Sequence, residues 1–328
     1  MKLAPIAFFC FNRADKTKLV LDTLAKNDFA AESEIFIFCD GPRNIKDLAA
    51  IKEVHNVIDS TQGFKNIYIL KREINHGVKS SIVGGIDSVL ENHDSVIVVE
   101  DDIITSKDFL NFSNRALEFY ENEKNVWCVS GFNYPNKIIT YPENYQEDVF
   151  FVRGKNSSWG WGTWKDRWQK IDFEIKDYSD FSKNKKQIKS FNRAGSNMFD
   201  MLRMQKENRI NTWDIQMCYA MFKNNGYTLH SIKPLTKNIG FDASGTHTVS
   251  DVDLTSFEFE DFSNFKLKKL TEIPNNNVAE KAYLDFHRDP FFLVKWARSK
   301  KKRRNFKWLL VGVLVAEVVN FLVWFLFN

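Results

Sequence analysis

Three consecutive carboxylates, Glu100-Asp101-Asp102, follow directly on the apolar run Ser95–Val99. Side by side they repel one another, so stability alone is a poor reason for them. A divalent cation removes that repulsion, and hard oxygen ligands suit Mn²⁺ or Mg²⁺. An ion held there would clamp a pyrophosphate and neutralise a leaving group as its bond breaks. The plain alternative is that the acids favour the N-terminus of the next helix.

Other residues extend this chemistry. Arg13 follows the first apolar run and Asp40 follows the second, in Cys39-Asp40-Gly41-Pro42. Emerging side by side above a sheet, the two suit hydrogen bonding to a nucleobase or ribose. The alternative is a turn-forming Asp-Gly-Pro and a solvated arginine. His76-Gly77-Val78-Lys79 opens a helical pattern, and a helix N-terminus beside Lys79 suits a phosphate. The run Ser157–Trp168 carries Trp159, Trp161, Trp164 and Trp168 among glycines. Indole faces stack on sugar rings, and glycines allow a loop that closes over a ligand. Trp164 and Trp168, four apart, are expected to face the core from a helix. That leaves Trp159 and Trp161 as the more exposed pair, contacting acceptor or acting as a lid.

These residues need a frame. Apolar runs at Pro5–Phe11, Ile35–Cys39, Asn66–Leu70, Ser95–Val99 and Val126–Val129 have the length and composition of buried strands. Helical patterns separate them at Asp15–Asn27, Asn44–Ser60, Val78–Asn92 and Ser106–Glu123. Such alternation predicts right-handed βαβ units and a mostly parallel sheet, with ligands beyond the carboxyl ends of the strands. Ser182–Asn197, rich in Lys and Asn, reads as an excursion or flexible loop. A helix near Thr212–Asn224 and a strand near Tyr227–Ser231 follow, then the loop Asn238–Ser250. The first strand runs into Phe11-Asn12-Arg13 without a glycine-rich turn, which demotes a dinucleotide-dependent dehydrogenase.

Composition narrows the class further. With 44% hydrophobic and 27% charged residues the chain is globular rather than disordered. Its net charge of +4 is concentrated at one end: from Lys295 onward eight Lys/Arg face Glu317 alone, so the preceding body is net acidic. That distribution argues against a nucleic-acid-binding body and suits an anionic membrane surface. The four cysteines show neither CxxC nor Cys/His metal spacing, which fits a reducing compartment. The segment Met1–Arg13 reads as a first strand rather than a signal peptide.

The segments Val96–Asp102, Ser106–Phe112 and Val126–Gly131, with Arg13, Asp40 and Trp213-Asp214, resemble glycosyltransferase family 13. That family contains an N-acetylglucosaminyltransferase, and the chain looks like bacterial relatives in surface-polysaccharide assembly. The resemblance covers roughly residues 4–250. It implies a Rossmann-like α/β fold of the GT-A type, a nucleotide-sugar donor (commonly UDP-linked), Mn²⁺ and inversion at the anomeric carbon. By the same resemblance Arg13 and Asp40 contact the nucleoside, Glu100 and Asp101 contact donor sugar or ribose, and Asp102 binds the metal. Basic residues near Lys79 contact the diphosphate in the family, although the spacing here is not a close match. Asp214 is the candidate base for the acceptor hydroxyl, with helix capping as the alternative or additional role. His247, in Gly240–His247, is a candidate second metal ligand or phosphate contact, since some GT-A enzymes place a histidine there.

Trp308–Phe327 is twenty residues long and almost wholly apolar, and Lys300-Lys-Lys-Arg-Arg304 precedes it. A helix of that length spans about 30 Å, the thickness of the hydrocarbon core. The basic block predicts a cytoplasmic face at an inner membrane. Gly312, Ala316 and Asn320 form a small/polar stripe suited to a partner helix. An in-plane or re-entrant helix is the alternative. Three regions are therefore expected: a glycosyltransferase domain over 1–255, a C-terminal extension over 256–299, and the basic block with its membrane helix over 300–328. The expected activity is transfer of a hexose or N-acetylhexosamine from a nucleotide donor to a glycan or lipid-linked acceptor. A sugar-phosphate nucleotidyltransferase and a non-catalytic, membrane-tethered nucleotide-binding scaffold are the competing readings.

Overall fold

The computed structural model describes residues 1–143, 145–240 and 256–287. Its centre is an eight-stranded sheet in the order β3-β2-β1-β4-β8-β6-β9-β7. The strands are β1 Ile6–Cys10, β2 Glu34–Cys39, β3 Asn66–Lys71, β4 Ser95–Glu100, β6 Val126–Ser130, β7 Val149–Arg153, β8 Trp161–Trp164 and β9 Tyr227–Ser231. A separate two-stranded ribbon pairs β5 Ile103–Thr105 with β10 Thr236–Asn238, antiparallel. The sheet is mostly parallel: β3, β2, β1 and β4 run the same way, and β6 pairs parallel with β9. Only β8, between β4 and β6, and β7 at the far edge are antiparallel to their neighbours.

Helices connect the strands of the first half. They are α1 Ala14–Leu24, α2 Leu48–Asp59, α3 Gly77–Asn92 and α4 Phe109–Phe119. Strands β1 and β4 are apolar along their whole interior because both of their faces are covered. Ala7, Phe9, Val96 and Val98 share one core with Ile82, Ile86 and Val89 of α3. The strand expected to be buried at Asn66–Leu70 is the exception. As the edge strand β3, it leaves Tyr68, Ile69 and Leu70 exposed.

Two further expectations are corrected. The polar stretch Ser182–Asn197 is no loop: it contains the helix α7 Lys185–Phe191, one of a series with α5 Lys165–Trp168, α6 Tyr178–Phe181 and α8 Met198–Lys206. Asn184 starts α7 by accepting the Gln187 N–H, and Phe181 and Phe191 anchor a satellite core with Met198, Leu202 and Tyr219. Two buried phenylalanines thus outweigh the polar residues between them. Within the tryptophan-rich run, Trp161 is not a lid residue either. Residues 161–164 form the buried strand β8, with Trp161 fully enclosed. Gly162 permits this, because a Cβ there would stand 3.1 Å from the Val96 carbonyl and press on Leu117. Trp164 and Trp168 are both buried, as expected, though Trp164 closes β8 rather than lying in a helix.

The helices α9 Asp214–Lys223 and α10 Asn276–His287 complete the description. Met1–Leu284 form one compact unit and Asp285–Asn328 a second. The polypeptide from 256 to 284 therefore belongs to the first: Phe262 stacks on Phe265 at 5.3 Å, and its N–H donates to the buried Asp108 carboxylate at 2.9 Å. All four cysteines are buried and unpaired. Among the described residues no helix is long and apolar enough to cross a membrane. The stretch Trp308–Phe327, its basic block and His247 lie outside those residues.

Candidate functional site

The parallel strands β1, β2 and β4 finish at the same edge of the sheet, and their carboxyl ends deliver Arg13, Asp40 and Glu100–Asp102 there. Arg13 sits at the start of α1 and reaches across to the acidic triplet. Its guanidinium donates to Asp101, and its Nη2 lies 3.0 Å from Asp102 Oδ2. Asp101 is almost fully enclosed, whereas about a fifth of the Arg13 and Asp102 side chains meets solvent. In this arrangement the arginine is committed to carboxylates. Contact between Arg13 or Asp101 and a nucleoside would have to share or displace that pairing.

Asp40 is also committed. Its carboxylate accepts the backbone N–H groups of His76 and Gly77, at 3.0 and 3.1 Å, and of Gly41. It therefore caps α3, and the Arg72 guanidinium stands 3.9 Å away. The positive end of this sixteen-residue helix is thus already neutralised by a side chain, leaving little of it for a phosphate. Lys79 turns elsewhere: its ammonium donates to the Phe173 carbonyl at 3.1 Å and lies 3.7 Å from Glu174. The phosphate cradle expected at His76–Lys79 is accordingly corrected to a capped helix start with an engaged lysine.

Asp214 opens α9. One carboxylate oxygen accepts the Ile215 N–H at 2.7 Å and the Thr212 hydroxyl. The same segment touches the start of α3, where a Cβ on Gly77 would come within 2.9 Å of the Asn211 amide. Trp213 stacks on Trp161 at 4.9 Å and packs against Trp168. Trp161, expected at the surface, instead supports from below the turn that holds Asp214. Trp159 stays partly exposed, set edge-on against Phe132 at 4.5 Å, and its carbonyl accepts the Thr236 hydroxyl of β10.

The electrostatics bind these parts together. Arg13 is paired with Asp101 and Asp102, and Glu100 feels the charges of both aspartates and of Asp214. Glu100 keeps some surface exposure, yet protein surrounds it closely enough for desolvation to dominate its titration. Desolvation first, then the charges of Asp102, Asp101 and Asp214, push its pKa up to about 8. Burial raises Asp101 to about 6 even against the opposing pull of Arg13. A bound cation reverses such shifts.

Sequence reasoning missed one element of this site, Gly240. The Ile239 N–H donates to the Asp102 carbonyl at 2.8 Å, and the Gly240 N–H to Asn238 Oδ1 at 2.7 Å. A Cβ on Gly240 would lie 2.4 Å from Asp102 Oδ2. Backbone therefore walls one side of that carboxylate, a proximity that only the β5–β10 pairing creates. Among the described residues no group of three His, Cys, Asp or Glu side chains is arranged to hold a metal unaided. A hard cation bound by one or two carboxylates and completed by phosphate oxygens needs no such cage. The carboxylate crowding around Glu100 and the partly open Asp102 fit an ion of that kind.

No family model matches this chain, and no curated protein matches it. Solved structures do match, at low similarity. They include the mannosyltransferase PcManGT from Pyrobaculum calidifontis in complex with GDP-Man and Mn²⁺, at 10% identity and a TM-score of 0.37, covering 67% of this chain and 69% of that one. S. aureus TarS 1-349 matches at 13% identity and a TM-score of 0.38, covering 72% of this chain and 60% of that one. An active-site mutant of LgtC matches at 11% identity and a TM-score of 0.37, covering 68% and 72%. Every one of these TM-scores is below 0.5, too low for a ligand or a reaction to be transferred from them to this chain.

Proposed function

We propose that this chain is a metal-dependent, inverting glycosyltransferase of the GT-A type, moving a sugar from a nucleotide donor, with UDP the leading candidate, to a glycan or lipid-linked acceptor. The observation that carries this reading is the convergence of Glu100, Asp101, Asp102 and Asp214 at the carboxyl edge of the sheet, with Glu100 driven to a pKa of about 8 by burial and its neighbours. A site so rich in negative charge would reject a free diphosphate and accept its cation complex. Asp102 is the residue of the described structure that would hold the ion, with His247 as a candidate from the sequence. When bound, the ion supplies charge neutralisation for the departing nucleoside diphosphate.

The chain's own residues do the remainder. In an inverting transfer the acceptor hydroxyl oxygen bonds to the anomeric carbon, and the bond from that carbon to the phosphate oxygen breaks. The hydroxyl proton goes to a carboxylate, and Asp214 is the one of this group held by a helix start rather than by Arg13. Its Thr212 and Ile215 donors fix one oxygen and leave the other for the acceptor. Arg13 keeps Asp101 charged and oriented, while Trp159 offers an aromatic face at the rim. The apolar tail would anchor the enzyme to the inner membrane from the cytoplasmic side, raising the effective concentration of a lipid-borne acceptor.

The test is a panel of nucleotide sugars incubated with the full chain and Mn²⁺, with nucleoside diphosphate release as the readout and the product anomer assigned by NMR. Release that ceases with EDTA and in Asp102→Asn, with the folded state retained, is the expected result. Undiminished turnover in either case would remove the metal assignment. Pyrophosphate as product would establish a nucleotidyltransferase, and tight nucleotide binding without turnover across the panel would establish a scaffold.

A further inference from the structure

Arg13 and Asp40, the residues expected to contact a nucleoside, are engaged by Asp101, Asp102 and the start of α3. The ends of β1 and β2 offer another group. Phe11 directly follows β1, and Arg43 lies four residues beyond β2. The guanidinium carbon of Arg43 stands over the Phe11 ring, 4.8 Å from its centre. Asp47 grips the same guanidinium by its edge: Oδ2 accepts from Nε and Oδ1 from Nη2, both at 2.9 Å. Asp47 Oδ2 also accepts the Arg43 backbone N–H at 3.1 Å, and Oδ1 the Asn12 amide at 3.2 Å. The Arg43 hydrogen bond holds the Asp47 pKa down to about 2, so this fork stays charged.

An arginine and an aspartate four residues apart often pair for local stability alone. That leaves the ring contact and the exposure unexplained. The Arg43 side chain is 54% exposed, and an arginine so exposed ordinarily keeps its rotamer freedom. Here it is fixed from two separate segments, by Phe11 on one face and by Asp47 along one edge. The opposite face is left as a flat, immobilised, cationic surface at the edge of the sheet where ligands of parallel strands collect.

We infer that Arg43, laid on Phe11 and locked by Asp47, is the platform on which the nucleobase of the donor stacks, an assignment that rests on the nucleotide-donor reading above. A planar, delocalised cation stacks on aromatic faces, and unstacked bases are held on guanidinium planes as they are on aromatic rings. Its place agrees. Asn12, which donates to Asp47, is the immediate neighbour of Arg13, which donates to Asp101 and Asp102. Two consecutive residues thus tie the platform to the acidic site. Stacking tolerates any base, because every base has a π-face. Arg43 therefore supplies affinity for a nucleoside diphosphate and leaves the choice of base to other groups.

The test compares ligands with and without a base. The full chain, in detergent with Mn²⁺, is titrated calorimetrically with UDP, GDP and inorganic pyrophosphate. Arg43→Ala should weaken UDP and GDP by about tenfold, within the range that one stacked base contributes, and leave pyrophosphate unchanged. Arg43→Lys keeps the charge but not the plane, and should lose as much as Arg43→Ala. In the wild-type chain, saturation-transfer NMR should mark the base protons of UDP more strongly than its ribose protons, a readout that needs no variant. Unaltered UDP affinity in Arg43→Ala overturns the inference and leaves the donor reading standing. Full rescue by lysine, or an equal loss of pyrophosphate, overturns it as well, since Arg43 would then act as a charge for phosphate. Base protons marked less than ribose protons do the same. A wild-type chain that binds none of the three ligands removes the donor reading, and the platform with it.

Discussion

The two halves of the central sheet end differently at the same edge. Where β1, β2 and β4 stop, the chain presents Arg13, Asp40 and three consecutive acids. Where β6 and β9 stop, it presents neutral or aromatic groups: Ser130, Phe132, and a fully buried His230 stacked on Phe150 at 5.1 Å and facing Tyr283. The parallel half concentrates charge that folding alone would avoid, and the mixed half ends in neutral groups packed among aromatic rings. Strand β8 joins them, contributing Trp161 beneath the Trp213–Asp214 turn. The contrast is what the proposed function would require: one half arranged to receive a charged ligand, and the other to hold that half in shape.

The sharpest way to break this comparison is Asp214→Asn. Loss of a general base costs about 10²–10⁴-fold in rate, and donor binding should survive in a calorimetric titration. Preserved transfer would move the base elsewhere. Next comes Gly240→Ala. The added methyl group contacts Asp102 Oδ2 at 2.4 Å, so the carboxylate must shift. Misplacement on that scale should lower kcat/KM by about 10–100-fold with little change in Tm. Unchanged turnover would separate Asp102 from the chemistry.

In stability the two halves should respond to pH with opposite sign. Glu100 has a folded pKa of about 8, above its ordinary 4.5, so the folded state holds the proton more tightly. Its contribution is fully present below pH 4.5 and is lost as pH rises through 8. Glu100→Gln should therefore stabilise the metal-free protein at pH 9 by about 2 kcal/mol, measured by urea unfolding. Mn²⁺ with a nucleoside diphosphate should erase the advantage. His230 has the opposite sign. Desolvation depresses it to about 4, only partly offset by its Nδ1 contact with the Phe132 carbonyl at 2.9 Å. Its contribution is present above pH 6.5 and lost as pH falls through 4. His230→Phe should flatten that acid limb by about 1 kcal/mol while losing a similar amount at neutral pH through the missing hydrogen bond. Should both variants follow the wild-type pH curve, the assignment of the two limbs to the two halves fails.

Much of the parallel half was legible because its signals are local. An apolar run of strand length, a helical period and a terminal acid are all contained within about thirty residues. β1, β2 and β4 follow from that, as do β9, the helix from Asp214 and the crowding at Glu100–Asp102. What stayed hidden depends on distant partners. Trp161-Gly-Thr-Trp164 carries no alternation that marks a strand, and only the neighbours β4 and β6 make it one. Asp40 looks free until His76 and Gly77 arrive to donate to it. Gly240 looks like an ordinary loop glycine until β10 pairs with β5 and brings it against Asp102. The exposure of β3 could not be read either, since a short apolar run looks the same at a sheet's edge and at its centre.

The capping of α3 by Asp40 has a consequence for how ligands are told apart. Many phosphate sites lure their anion with the bare start of a helix, and such a lure works on any phosphate, chelated or not. Here that bait is withdrawn by the Asp40 cap, and the acids Glu100–Asp102 stand at the same edge of the sheet. If the proposed function holds, only a diphosphate that arrives with a cation suits this site, so bare nucleotides should be poor competitors. On that reading, loss of the cation from the spent nucleotide would turn attraction into expulsion and so help to clear it.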